Sequence, residues 1–254
     1  MKLSDRQLER YARHIVLKDV GGAGQKRLLA ARIALIGAGG IGSPAALYLA
    51  AAGIGSLTLI DDDRVALSNL QRQILHGTSD IGRLKVESAH DRLFDLNPDC
   101  EILPISERLA ADNARDLLHG HDLVIDGSDS FATRLSVNDA AIACGIPLIS
   151  AAVGPFEGQL AVFAGHLGDR PCYRCLMPEA PPGEAERSCA VIGILGAVVG
   201  TMGSLAALEA LKLLLGIGTP LMGRLLLYDA LAAESRIVGL MKDPACPTCG
   251  GTVP

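Results

Sequence analysis

The run RIALIGAGGIG at residues 32–42 constrains this chain more than any other segment. Five mostly apolar residues lead into Gly37, Gly39 and Gly42 at G-x-G-x-x-G spacing, and a second apolar stretch follows. Glycine at these positions permits a tight turn from strand to helix. It also lets backbone N–H groups approach a phosphate, whose charge the helix N-terminus favours. The turn therefore belongs in a strand–helix–strand unit, and the sequence downstream repeats that pattern. Strands are expected over 32–37, 56–61, 101–105, 122–126 and 147–152, alternating with helices over 41–53, 83–96, 111–119 and 133–144. Such alternation predicts an α/β fold: a Rossmann-like, mostly parallel sheet with helices on both faces.

Past Glu157 the pattern changes. Short strands over 159–164, 224–228 and 236–240 surround two C-x-x-C pairs and a long apolar helix, the composition of a smaller mixed or antiparallel C-terminal part. The chain reads as one domain: a helical segment over 1–30, a nucleotide-binding half over 31–156, and a second half over 157–254. The Pro- and acid-rich run 178–187 reads as a loop.

Composition excludes several classes. Apolar residues make up 49% of the chain and charged residues 20%, which is not the balance of a disordered protein. With 23 basic against 28 acidic residues the net charge is -5, so no positive field supports nucleic-acid binding. The uncharged stretch 190–208 is just long enough to cross a bilayer. Its glycines at 193, 196, 200 and 203 form one helical stripe, however, and Glu209 and Lys212 continue the pattern. A buried helix pressed against a neighbour fits that stripe, and no membrane association is expected. The N-terminal MKLSDRQLERYARHI is charged throughout and is no secretory signal, so a cytoplasmic location is expected.

Chemistry concentrates at the expected strand ends. Asp61 closes the second strand, where an acid can hold a ribose hydroxyl. On that basis alone a nicotinamide-dependent oxidoreductase would lead. The following DDDRVALSNLQRQ and then Lys85 bring in Arg72 and Lys85, cations suited to the phosphates of a nucleoside triphosphate. VIDGSDSFATR sets Asp126 and Asp129 at the end of another strand, with Arg134 after them, and a carboxylate there can hold magnesium. No G-x-x-x-x-G-K-[ST] occurs, so the chain is not a Walker-type ATPase. Of the seven cysteines, Cys172, Cys175, Cys246 and Cys249 form two knuckles suited to tetrahedral zinc. Four thiolates leave no open coordination position, so the zinc is expected to be structural. Cys100 and Cys144 read as small apolar residues, and the six histidines show no ligand-like spacing. A non-catalytic zinc module therefore stands as a third reading beside the two enzymes.

Taken together, GAGGIGS, DDDRVALSNLQRQ, Lys85 and DGSDSFATR resemble the MoeB/ThiF family of ubiquitin-activating-enzyme-like adenylyltransferases, closest to the MoeB type. The similarity runs from RYARHIVL to the last C-x-x-C. It implies that ATP meets the C-terminal Gly-Gly carboxylate of a ubiquitin-fold sulfur carrier, with attack at the α-phosphate giving an acyl-adenylate and pyrophosphate. A MoaD-like carrier of molybdenum-cofactor synthesis is expected, with a ThiS-like thiamine carrier as the alternative. The resemblance assigns Gly37, Gly39, Gly40 and Gly42 to the phosphates and Asp61 and Asp63 to the nucleotide, Asp61 at the ribose. It has Ser68, Asn69, Leu70, Gln71 and Arg72 lining the nucleotide, and Arg72 and Lys85 stabilising charge at the α-phosphate. Asp129 would bind Mg2+ beside Ser130, and Arg13 would reach the phosphates of a partner subunit in a homodimer. Cys189 corresponds to a cysteine implicated in sulfur transfer or in transient attachment of the carrier. The four knuckle cysteines match a family zinc site, and residues 157–254 become the carrier-binding half. No rhodanese segment follows Pro254, so sulfur is expected from a separate donor such as a cysteine desulfurase or a rhodanese.

Overall fold

Strand β1 (Arg32–Ile36) buries four of its five residues and β2 (Ser56–Ile60) all five, the pattern of central strands covered on both faces. The computed structural model describes residues 2–179 and 193–250. The remaining strands are β3 (Glu101–Ile105), β4 (Leu123–Asp126), β5 (Leu148–Val153), β6 (Glu157–Phe163), β7 (Arg224–Asp229) and β8 (Glu234–Gly239). They form one eight-stranded sheet in the order β3-β2-β1-β4-β5-β6-β7-β8. β1 to β5 pair in parallel, whereas β6, β7 and β8 add antiparallel. The C-terminal part thus extends the same sheet. The Pro104 of β3 sits on an edge strand, where a missing N–H is tolerated.

Helices α1 (Asp5–Arg10), α2 (Ala12–Ile15) and α3 (Gly21–Ala30) precede the sheet. They are followed by α4 (Gly42–Ala52), α5 (Lys85–Leu96), α6 (Ala114–Leu118), α7 (Phe131–Cys144), α8 (Tyr173–Leu176) and α9 (Gly196–Leu215). Alternation along β1 sorts them into two layers. Ile33 and Leu35 pack with residues of α3, α4, α5 and α9, while Ala34 and Ile36 pack with α6, α7 and α8. α4 ends at Gly53 and α7 at Gly145, both left-handed, so each chain reversal falls on a residue without Cβ strain.

α9 is apolar enough to cross a membrane by length and composition, yet its Val198, Val199, Met202, Ala206 and Ala210 are buried against α4, β5 and β6. Its glycine stripe lets the backbone come close. A Cβ on Gly203 would lie 2.3 Å from the Ile41 carbonyl oxygen, and one on Gly196 would lie 2.4 Å from that of Gln71. Val199 in turn lies against Gly40, so α9 backs the glycine turn from behind. Its buried Glu209 is satisfied by Lys212 and by the Leu221 N–H at 2.7 Å.

Candidate active site

The strand order reverses between β1 and β4, and the crevice outside that switch point is where an open parallel sheet binds its ligand. The register sets Ile36 beside Ile60 on one side and Asp126 on the other, so the three strand ends finish level. A cavity of about 690 Å³ opens there. Its walls include Gly37, Gly39, Gly40, Asp61, Asp63, Arg72, Lys85, Asp129 and Ser130.

The turn's glycines are required for different reasons. Gly37 has φ +88°, a left-handed conformation, and a Cβ on Gly42 would lie 1.8 Å from the Gly37 carbonyl oxygen, so the turn itself demands both. Gly39 has φ outside that range, and a Cβ there would meet only the Gln73 Nε2, at 3.5 Å. Space beside Gly39 belongs to the cavity. Among the described residues, the N–H groups of Gly39 and Gly40 have no protein acceptor, which leaves two donors for an anion at the start of α4.

Asp61 follows β2 directly, with both carboxylate oxygens engaged: Oδ2 accepts from the Ala38 N–H and Oδ1 from the Asp63 N–H, each at 2.8 Å. Burial pushes its carboxyl upward, opposed chiefly by Lys85. Lys85, the first residue of α5, is buried, with Nζ 2.6 Å from Asp63 Oδ2 and 3.8 Å from Asp61 Oδ2. An unpaired ammonium would be costly at such a place, and the two carboxylates make it tolerable.

The SNLQRQ run begins in a 3₁₀ turn over Leu67–Asn69 and continues as further turns. Asn69 Oδ1 accepts from the Ala66 N–H, and the Asn69 carbonyl accepts from the N–H groups of Arg72 and Gln73. Arg72 Nη1 reaches back to the Ser68 carbonyl at 3.0 Å. The structure brings Arg72 and Gln73 to the cavity wall. Ser68, Asn69, Leu70 and Gln71 are not on that wall; they build the turn that delivers the other two.

The DGSDS segment lies across β1. Asp126 is fully buried, with Oδ1 accepting from the Ser128 N–H at 2.9 Å, and burial raises its carboxyl against the pull of Arg134. Arg134 is itself buried and donates to the carbonyls of Ser128 and Ala151, so the loop is clamped to β5. That clamp presents Asp129, exposed, on the cavity wall. The Ser130 hydroxyl caps α7 by accepting from the Thr133 N–H at 3.4 Å. Exposed hard oxygen donors such as Asp129 suit Mg2+, whereas the carboxylates of Asp61 and Asp63 already face Lys85.

Arg13 is exposed on α2 and does not line this chain's cavity. Cys189 lies outside the described residues. Gln73 and His76 carry no sequence signal beyond their place in SNLQRQILH, yet both come to the glycine turn. His76 is buried, bonded to the Ala38 carbonyl and to Ser88.

A second centre lies at the far end of α7. The thiols of Cys172, Cys175, Cys246 and Cys249 all lie within 4.8 Å of one another. Cys172 and Cys246 approach to 3.6 Å and Cys175 and Cys249 to 3.4 Å. Tetrahedral zinc with bonds of about 2.3 Å sets its sulfurs about 3.8 Å apart, so the four thiols fit that ion. Burial pushes the thiols of Cys172 and Cys249 up, and a metal is what would hold them as thiolates. Asp139 of α7 anchors both knuckles, accepting from Arg174 at 2.7 Å and from the Thr248 hydroxyl at 3.1 Å.

A glycine turn at the switch point of a doubly wound sheet, with cations and carboxylates gathered beside it, defines a Rossmann-like nucleotide enzyme. The ThiF family model matches residues 11–248, and the chain belongs to the ThiF family. It is 47% identical to the sulfur carrier protein adenylyltransferase of Thermus thermophilus, over 98% of this chain and 93% of that protein. It is 46% identical to the sulfur carrier protein ThiS adenylyltransferase of Escherichia coli, with 98% of each covered. The structure of Escherichia coli MccB with ATP shares the fold, with a TM-score of 0.81 at 22% identity over 95% of this chain and 74% of MccB. The chain is thus a nucleotidyltransferase of the MoeB/ThiF type.

Proposed function

We propose that this protein adenylates the C-terminal Gly-Gly carboxylate of a ubiquitin-fold sulfur carrier at the expense of ATP. The observation that carries this reading is the convergence of Gly39, Gly40, Arg72, Lys85 and Asp129 on one cavity. The triphosphate lies along the free N–H groups of the glycine turn, and Asp61, each oxygen keeping a lone pair beyond its backbone bond, holds the ribose. A carrier carboxylate oxygen attacks the α-phosphorus, the bond to the bridging oxygen breaks, and pyrophosphate leaves with that oxygen. Arg72 and Lys85 stabilise charge on the α-phosphate and the leaving group, which is the main task in phosphoryl-type transfer. No general base is needed, because a terminal carboxylate is already ionised near neutral pH. Mg2+ held by Asp129 would neutralise triphosphate charge.

In this reading residues 31–156 form the nucleotide half and 157–254 the carrier half, with zinc as a structural tie. Arg13, exposed and absent from its own cavity wall, serves the partner's site in a homodimer. The enzyme works in the cytoplasm, with a cysteine desulfurase or rhodanese as sulfur donor. A MoaD-like carrier is the first choice. The full-length similarity to the Escherichia coli ThiS adenylyltransferase favours a ThiS-like carrier as the second.

ATP–pyrophosphate exchange, measured with each carrier separately, tests the proposal. Exchange that depends on one carrier supports it and identifies the pathway. Saturable ATP binding without exchange on either carrier overturns carrier adenylation.

A further inference from the structure

A loop of glycines has little rigidity of its own, so the conformation of residues 37–42 depends on ties from outside. Two meet on a single residue, Ala38. The Ala38 N–H donates to Asp61 Oδ2 at 2.8 Å, and the Ala38 carbonyl lies 3.0 Å from His76 Nε2. His76 is 7% exposed, wedged between the turn and α5, with Nδ1 2.8 Å from Ser88 Oγ. A carbonyl only accepts, so Nε2 carries the proton, and in the neutral ring the unprotonated Nδ1 faces the Ser88 Oγ. Burial favours that neutral ring. The backbone N–H of His76 donates to the Gln73 carbonyl at 3.1 Å, so one short segment carries Arg72 and Gln73 to the cavity and His76 to the turn behind it. His76 itself does not line the cavity, so whatever it does for the reaction passes through Ala38.

We propose that His76 is a positioning residue for adenylation: its Nε2–H fixes the Ala38 carbonyl and thereby holds the free N–H groups of Gly39 and Gly40 ready for the triphosphate. This rests on the reading that ATP occupies the glycine turn. The tie acts on bound ATP before and during reaction alike, so its loss appears in KM for ATP more than in kcat.

The test compares the full-length, zinc-loaded wild type with His76→Ala and His76→Gln, the latter restoring an N–H donor of similar reach. His76→Ala is expected to raise KM for ATP about tenfold with kcat within about twofold and KM for the carrier unchanged. His76→Gln is expected to recover KM to within about threefold of wild type. An unchanged KM for ATP in folded His76→Ala, or no recovery in His76→Gln, overturns the proposal. Should His76→Ala not fold, His76→Leu carries the test, because it fills the buried space without supplying a donor to the Ala38 carbonyl; an unchanged KM for ATP there overturns the proposal equally. Failure of the wild type to bind ATP would instead defeat the nucleotide reading itself.

Discussion

At the scale of single residues, the site is a set of charges made tolerable by one another. Lys85 is buried beside Asp61 and Asp63, and Arg134 beside Asp126, whereas Asp129 is exposed and, among the described residues, pairs with no cation. Asp129 can therefore be altered without leaving a buried partner uncompensated. Asp129→Ala is expected to lower the rate of ATP–pyrophosphate exchange by about 100-fold or more, while melting temperature and zinc content stay at wild-type values. Exchange at the wild-type rate in that variant would remove Asp129 from the magnesium role. A thiol away from the site sets an alkaline limit. Cys100, 2% exposed, is pushed up to about 12 by burial from an ordinary value of 9.0. Between those values the native state holds a proton that the unfolded chain has lost, so stability falls as pH rises from 9.0 toward about 12. Denaturant unfolding between pH 8 and 11 should show a steeper alkaline loss for the wild type than for Cys100→Ala. Parallel slopes would show that another group governs the loss.

At the scale of elements, α9 decides how closely the glycine turn can be backed. Its glycines are not equivalent. A Cβ on Gly203 would lie 2.3 Å from the Ile41 carbonyl oxygen and 2.4 Å from Pro44 Cγ, while one on Gly200 would meet nothing within 4 Å. Gly203→Ala must push α9 away from α4 and is expected to destabilise by about 1–3 kcal/mol. Gly200→Ala gains helix propensity without a clash and is expected to stabilise by about 0.5–1 kcal/mol. Chemical denaturation of both variants checks the pair. Equal effects would mean that the close approach of α9 to α4 does not hold in solution.

At the scale of the whole molecule, α7 joins the two centres. Its first turn follows the loop bearing Asp129 and Ser130, and its Asp139 anchors Arg174 and Thr248 beside the four cysteines. The knuckles at 172–175 and 246–249 fasten the end of the described chain to the layer of α6, α7 and α8. Cys246→Ser, or stripping zinc with a chelator, is expected to lower the melting temperature by roughly 6–12 °C, the shift for a loss of about 3 kcal/mol in a chain this long. A chelated protein that melts with the wild type would show that the thiols need no metal.

Much of this was legible in residue order. Strands β1, β2, β4 and β5 follow from apolar runs flanked by glycine or proline, because a strand buried on both faces tolerates little else, whereas the edge strand β3 buries only one of its five residues. The turn at 37–42 and the four cysteines were readable because their chemistry depends on spacing within a few residues. Helix ends were less so: the helix expected over 111–119 forms only over Ala114–Leu118. Tertiary structure alone decided that β6 to β8 continue the parallel sheet, since an antiparallel strand reads alike in a separate sheet. It also decided that Arg72 and Gln73 reach the cavity while their neighbours support the turn, and that His76 meets the Ala38 carbonyl, 38 residues away in sequence. Periodicity and spacing report what a residue demands of its near neighbours. Which distant group answers a buried polar atom depends on the packing of the whole chain.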